Sequence, residues 1–195
     1  MLGGASQIGL ERAPSQGFRW GALGDTSSWM GGRASGAFGE RVQSVTTWVG
    51  RGTHVELNDT LTLTGSATLA LGRVFLESSG MLEVDPHVMS AWQVELEHGR
   101  RGHGKWSQLS VSQPLRAESG KGRLTYLAGL KGGLPFYDKA TVPLAPEGRE
   151  FELALTHEAP IGRGRGVIKA AHSWNAGHEP GQTQWQVGLA YKMEW

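Results

Sequence analysis

The chain has 195 residues, enough for one domain and short for two, with 30 glycines, eight tryptophans and no cysteine. Without cysteine it can form neither a disulfide framework nor a thiolate metal site, and a formal charge of +1 gives no electrostatic reason to expect a nucleic-acid partner. Mean hydropathy is -0.32 and no stretch approaches the ~18 consecutive apolar residues of a membrane-crossing helix, which leaves membrane crossing by strands open.

In chain order, Met1 to Trp20 has neither a basic start followed by an apolar core nor a small-residue cleavage site. A chain bound for a bacterial outer membrane needs such a leader, so the sequence is read as a mature form or a portion of a longer protein. Residues 1–41 are weakly patterned, a linker or first strands, with short strands expected around Phe18–Ala22 and Ala34–Glu40. From residue 42 to 195 the pattern is that of one strand-built domain. Val42–Leu57 carries Val45, Trp48, Val49 and Val55. Leu61, Leu63, Ala67, Leu69 and Leu71 then alternate with Thr62, Thr64, Ser66 and Thr68, and Trp92, Val94 and Leu96 with Gln93, Glu95 and Glu97. Weaker runs follow at Leu109 and Val111 and at Leu124–Ala128. Phe151, Leu153 and Leu155 alternate cleanly with Glu152, Ala154 and Thr156, and Ile168, Ala170 and Trp174 form a last internal run. Alternation at period two, bounded by turn residues, is the mark of a strand whose two faces meet different surroundings.

The closing segment is the clearest. From Trp185 to Trp195 every odd position is large and apolar (Trp185, Val187, Leu189, Tyr191, Met193, Trp195), and every even one is small or polar, including Gln186 and Lys192. About 9 to 11 such residues, tilted, cross a bilayer's hydrocarbon core. Trp185 would then lie near one interface, and Met193 and Trp195 near the other. The expected fold is all-β, an antiparallel transmembrane outer-membrane β-barrel of 8–12 strands. On that expectation the large apolar residues face lipid, and Gln93, Glu95, Glu97, Glu152, Gln186 and Lys192 face the lumen. Val187, Leu189, Tyr191, Met193 and Trp195 are also the signal that a barrel-assembly machinery would read. With Trp195 on the periplasmic side, alternating directions make Asn175–Thr183, Lys131–Glu147 and Gly99–Gly104 extracellular, and Ala159–Gly164 and Ala117–Gly122 short periplasmic turns. A soluble antiparallel sandwich also alternates; the eight tryptophans, several near strand ends, and the terminal aromatic count against it.

Two segments carry a family resemblance. Ser110-Val-Ser-Gln-Pro-Leu-Arg-Ala-Glu-Ser-Gly-Lys-Gly-Arg-Leu124 and Leu144-Ala-Pro-Glu-Gly-Arg-Glu-Phe-Glu-Leu153 resemble the C-terminal translocator barrels of autotransporters, most closely those attached to subtilase-type serine protease passengers. With the terminal strand, the resemblance covers about Leu61 to Trp195. It implies a twelve-stranded pore in the outer membrane of a Gram-negative bacterium. A passenger, this chain's own or encoded upstream, would reach the surface through it, with a linker helix in the lumen. The expected partners are outer-membrane lipid, the assembly machinery and that passenger.

No enzymatic role is expected of this chain. Gly24-Asp-Thr-Ser-Ser28 is the nearest string to a subtilase serine turn, and it lacks both the helix-opening context and a partnered histidine motif. Gly162-Arg-Gly-Arg-Gly166 is followed by a strand, where a phosphate loop would open a helix, so it is read as a turn with two solvated arginines. His98-Gly-Arg-Arg-Gly-His-Gly-Lys105 has two histidines five apart and no carboxylate, and reads as a surface loop. His172, beside Trp174, reads as an amphipathic ring at an interface. No cofactor or metal is expected. The alternative in another class is a small self-contained barrel acting as a porin or surface-binding protein.

Overall fold

The computed structural model describes residues 7–12, 17–26, 28–29, 32–33, 42–76, 81–100 and 103–193. They form strands β1 (Gln7–Arg12), β2 (Phe18–Thr26), β3 (Ser28–Trp29), β4 (Gly32–Arg33), β5 (Val42–Asn58), β6 (Leu61–Leu76), β7 (Leu82–Val84) and β8 (His87–Arg100). The second half of the chain adds β9 (His103–Ala117), β10 (Lys121–Lys131), β11 (Leu134–Pro143), β12 (Phe151–Ile161), β13 (Gly164–Trp174) and β14 (Thr183–Met193). A single 3₁₀ turn, Ala176–His178, interrupts them, and no described helix is long and apolar enough to cross a membrane. The fold is therefore all-β and its strand pairs are antiparallel. One sheet runs β1-β2-β5-β6-β8-β9-β12-β13-β14, a second β11-β10-β7, and β3 pairs with β4. Among the described residues the large sheet is open, with β1 and β14 at its edges. The expected strand at Ala34–Glu40 lies outside the described residues, as does Trp195.

Contacts divide the chain into two compact units that do not follow chain order, because β5, β6 and β8 are long enough to contribute to both. The first comprises residues 1–49, 69–89 and 117–145. Its core is small: Ala70, Met89 and Ala117, with Trp48 and Leu144 packed against them. His87 is buried beside the backbone at Gly72 and Gly120, where a Cβ on either glycine would collide with it. Its Nδ1–H reaches the carbonyl of Asp85 at 3.2 Å. The β10–β11 hairpin turns on Gly132 and Gly133, with φ of 61° and 81°. Two consecutive left-handed residues are what a two-residue hairpin turn needs, and glycine adopts them without steric cost.

Strand β11 corrects the reading of Lys131–Glu147 as one long connection. Its sequence, Leu-Pro-Phe-Tyr-Asp-Lys-Ala-Thr-Val-Pro, places Phe136 beside Tyr137 and carries proline near each end, so it lacks alternation. The strand forms regardless, because its backbone pairs with β10 along the whole length from Lys121↔Pro143 to Lys131↔Leu134.

The second unit comprises residues 50–68, 90–116 and 146–195 and holds β9, β12, β13 and β14 with parts of β5, β6 and β8. One end carries short turns. Asn58 Oδ1 accepts the Thr60 N–H at 3.0 Å in the β5–β6 turn, and Gly162 (φ 58°) opens the two-residue β12–β13 turn. The Gly99 N–H donates to the Thr60 carbonyl, and the Arg165 guanidinium to the Gly104 carbonyl at 2.7 Å. These bonds place Gly99–Gly104 at the same end as Ala159–Gly164, where strand counting had put them at opposite ends. Pairing of Glu158 with Trp106 and Glu152 with Ser112 fixes the direction of β9, so its Arg116 end leaves from the other side. There the longer loops gather. Arg116 donates to the carbonyls of Pro146 and Gly148, the Gly148 N–H bonds the His178 carbonyl, and the Glu150 N–H bonds His178 Nδ1. The asymmetry of short turns and long loops holds in this unit, but with different members. The extra strand β11 shifts the count by one.

Candidate functional site

The functional geometry lies in the two faces of the C-terminal four-stranded sheet. Antiparallel pairing carries β9, β12, β13 and β14 in register, so directly opposed residues share a face. One set of rows reads Val111–Leu153–His172–Trp185, Leu109–Leu155–Ala170–Val187, and Ser107–His157–Ile168–Leu189. Toward the short-turn end these continue as Ala159–Gly166–Tyr191 and Ile161–Gly164–Met193. The alternate rows read Ser112–Glu152–Ser173–Gln184, Ser110–Ala154–Ala171–Gln186, Gln108–Thr156–Lys169–Gly188 and Trp106–Glu158–Val167–Ala190, then Pro160–Arg165–Lys192. The first face is apolar and the second small or polar.

Burial runs opposite to that of a water-soluble sheet. On the apolar face Leu155 is 51% exposed, Ile168 47% and Leu189 78%, while on the other face Ala154, Ala171, Ser173, Glu158 and Arg165 are all buried. A sheet stabilised by water exclusion turns its large aliphatic side chains inward and its polar ones out. Here the buried face is filled by alanine, serine, Trp106 and a paired Glu158 and Arg165. The apolar face extends over four strands, interrupted by His172 and by the Ser107–His157 hydrogen bond at 2.9 Å, and its exposed aliphatic rows are the kind of patch that marks contact with an apolar medium or partner.

The polar face is internally satisfied at several points. Gln93 Nε2 and Gln108 Nε2 each donate to Glu95 Oε1 at 2.6 Å, tying β8 to β9. At a position of the opposite parity, that of Leu109 and Val111, buried Gln113 donates its Nε2 to Ser90 Oγ at 3.2 Å and accepts at Oε1 from Arg149. Arg165 Nε donates to Glu158 Oε1 at 2.5 Å, both side chains being about nine-tenths buried. Such a pair persists because desolvating either charge alone is costlier than holding both together. The finding corrects the reading of Arg165 as a solvated turn residue. Only Arg163 is exposed there.

Aromatic rings collect at the long-loop end of the apolar face. His172 stacks on Trp185 with centroids 4.2 Å apart and meets Trp174 edge-on at 4.4 Å; Trp92 lies 6.1 Å from Phe151, which opposes Trp174. At the short-turn end Tyr191 donates its hydroxyl to the Ile161 carbonyl at 3.1 Å.

Register places Glu152, Gln186 and Lys192 on the polar face. Gln93 and Glu95 join it through Gln108, and Glu97 shares their side of β8. Val187, Leu189, Tyr191 and Met193 stand on the apolar face. Gln93, Glu95, Glu97 and Glu152 are half-buried, whereas all of β14, Gln186 and Lys192 included, is exposed on both faces. Sequence reasoning missed Gln108, Gln113, Glu158 and Arg165. Gln108 and Glu158 occupy polar-face positions that alternation alone could have located, but their pairing partners depend on which strands are neighbours. Among the described residues no three His, Asp or Glu side chains converge as metal ligands would.

In comparison with known proteins, no family model matches the chain, and no curated protein or solved structure matches it.

Proposed function

We propose that this chain is an outer-membrane β-barrel of the autotransporter translocator type, which anchors a passenger and gives it a hydrated path to the cell surface. The observation that carries the reading is the inverted burial of the C-terminal sheet, with large apolar rows outward and polar rows inward. In hydrocarbon the outward rows are solvated by acyl chains, and the backbone is satisfied only if the sheet closes, because lipid offers no partner to an edge. Closure therefore requires a strand against the free edge of β14. Trp185 to Met193 spans nine positions, about 27 Å at ~3.4 Å per residue before tilt, comparable to the ~25 Å apolar band of such barrels. The aromatic cluster of Trp174, His172 and Trp185 marks one interface, and Tyr191 and Met193 the other.

The polar face lines the lumen in this reading. Glu95, Gln93, Gln108, Glu152, Lys169 and Lys192 offer both signs of charge and amide groups, suited to an extended polypeptide without a fixed sequence. No chemistry is assigned to the chain. The alternation ending in Trp195 serves assembly. The buried Glu158–Arg165 pair and the Gln108–Glu95 bridge favour a second arrangement, a self-contained barrel whose side chains fill its own lumen. Single-channel conductance separates a passage from a plug.

The reading is tested by refolding the chain into detergent micelles and comparing gel mobility with and without boiling. A heat-dependent shift accompanied by β-rich circular dichroism is the expected result. Stable, monodisperse folding in plain buffer with no heat-dependent shift would overturn it.

A further inference from the structure

The β10–β11 hairpin belongs to neither face of the C-terminal sheet. Register resolves its own two sides. Near the turn Lys131 opposes Leu134 and Gly129 opposes Phe136 on one side, while Leu130 opposes Pro135 and Leu127 opposes Tyr137 on the other. Apart from Lys131, which stands beside the turn, the tip is apolar on both sides. Leu130 and Leu134 are the most exposed of its large side chains, at 70% and 73%, and Leu127, Phe136 and Tyr137 are exposed as well. A hairpin standing in water normally keeps one side polar. At this tip Lys131 is the one charged side chain.

Its charges are one-sided. Lys121, Lys131 and Lys139 are exposed and face a single carboxylate on the hairpin, Asp138. The remaining cation, Arg123, is occupied by Asp85 and, at 3.6 Å, by Glu83 next to the β7 contact. An apolar tip with one lysine at the turn, Lys131, and a second further along β11, Lys139, complements the lipid–water boundary. Aliphatic and aromatic side chains enter the upper acyl region, and lysines reach outward on flexible stems to the phosphates. The edge position of β11 limits the depth, because its unpaired backbone groups need hydration.

We propose that the β10–β11 hairpin docks on an anionic lipid surface, with Leu130, Leu134, Phe136 and Tyr137 inserted and Lys131 and Lys139 reaching headgroup phosphates. The inference needs no closure of the large sheet and so stands apart from the translocator reading.

The chain has no cysteine, so Leu134→Cys creates a unique site for a polarity-sensitive fluorophore. The labelled full chain is refolded in micelles and transferred to vesicles of phosphatidylcholine alone or mixed with phosphatidylglycerol. Blue-shifted emission is expected with phosphatidylglycerol, little with phosphatidylcholine alone, and reversal at about 0.5 M salt, where charge attraction is screened within ~4 Å. Lys131→Glu with Lys139→Glu should weaken the anionic-lipid dependence by at least about fivefold per lysine removed, the equivalent of the usual contribution of one surface lysine. Tyr137→Cys reports the other side of the tip, and gives the same reading should Leu134→Cys fail to fold. Water-like emission in both lipids overturns the proposal. So does an equal blue shift in both that ignores the lysine changes, which would mark the hairpin as ordinary membrane wall. A label at Leu155→Cys reads the sheet face separately, so failure of the barrel leaves the hairpin result intact.

Discussion

Adjacent residues on one strand meet opposite surroundings, and the difference is measurable. Leu109 lies in the apolar row with Leu155, and Gln108, its neighbour, bonds Glu95 on the polar face. Leu109→Arg would put a charge against lipid near mid-strand, a cost on the order of 2 to 4 kcal/mol. Gln108→Arg keeps a donor beside Glu95. Refolding yield into micelles should therefore collapse for the first variant and stay near that of the parent chain for the second; equal losses would sink the facing assignment. Which residues share a side was legible in the sequence because side-chain direction alternates strictly along a strand, so Leu153, Leu155, Val187, Leu189, Tyr191 and Met193 declare a common side by position alone. What was not legible is which polar residues meet. Glu158 and Arg165 lie far enough apart in sequence to read as independent. They become an ion pair only because the Gly162-Arg163 turn folds β13 back on β12.

At the scale of elements, the last hairpin depends on glycine at one position and not at another. A Cβ on Gly164 would collide with the Lys192 carbonyl and the Tyr191 ring, whereas one on Gly188 meets nothing within 4 Å. Gly164→Val should thus loosen the β13–β14 pairing at a cost of about 1 to 3 kcal/mol, the usual range for forced overpacking. Gly188→Ala should be close to neutral. Thermal midpoints of the micelle-folded protein would distinguish them, and equal shifts would argue that β14 is not held in this register. Most strands were legible from their alternation, including Val42–Asn58 and the runs at Leu61, Trp92, Phe151 and Trp185. Strand β11 was not, because Pro135, Phe136 and Tyr137 run together and Asp138 and Lys139 are adjacent, so no period of two appears. The pairing of β9 with β12 was not legible either. Regular spacing of strands suggests that each neighbours the next, and nothing local says that β10 and β11 step out of the sequence of neighbours, with β10 pairing β7.

At the scale of the whole molecule, the proposed translocator role rests on the inverted burial of the C-terminal sheet, and the mobility-shift experiment decides whether the sheet closes. The stepping-out of β10 and β11 has a consequence for time as well as for shape. Strands β12, β13 and β14 form a meander joined by a two-residue turn and one loop, so their contacts are local. Pairing of β9 with β12 must instead bring together segments separated by residues 118–150, and loop-closure entropy opposes it until the intervening hairpin has compacted. Local contacts form faster than distant ones. Pulse-labelled amides should therefore gain protection in β12–β14 before β9, and simultaneous protection would refute the order. The chain thus carries a schedule in its topology: the locally paired β12, β13 and β14 are equipped to act as a template, and β9 is added onto them.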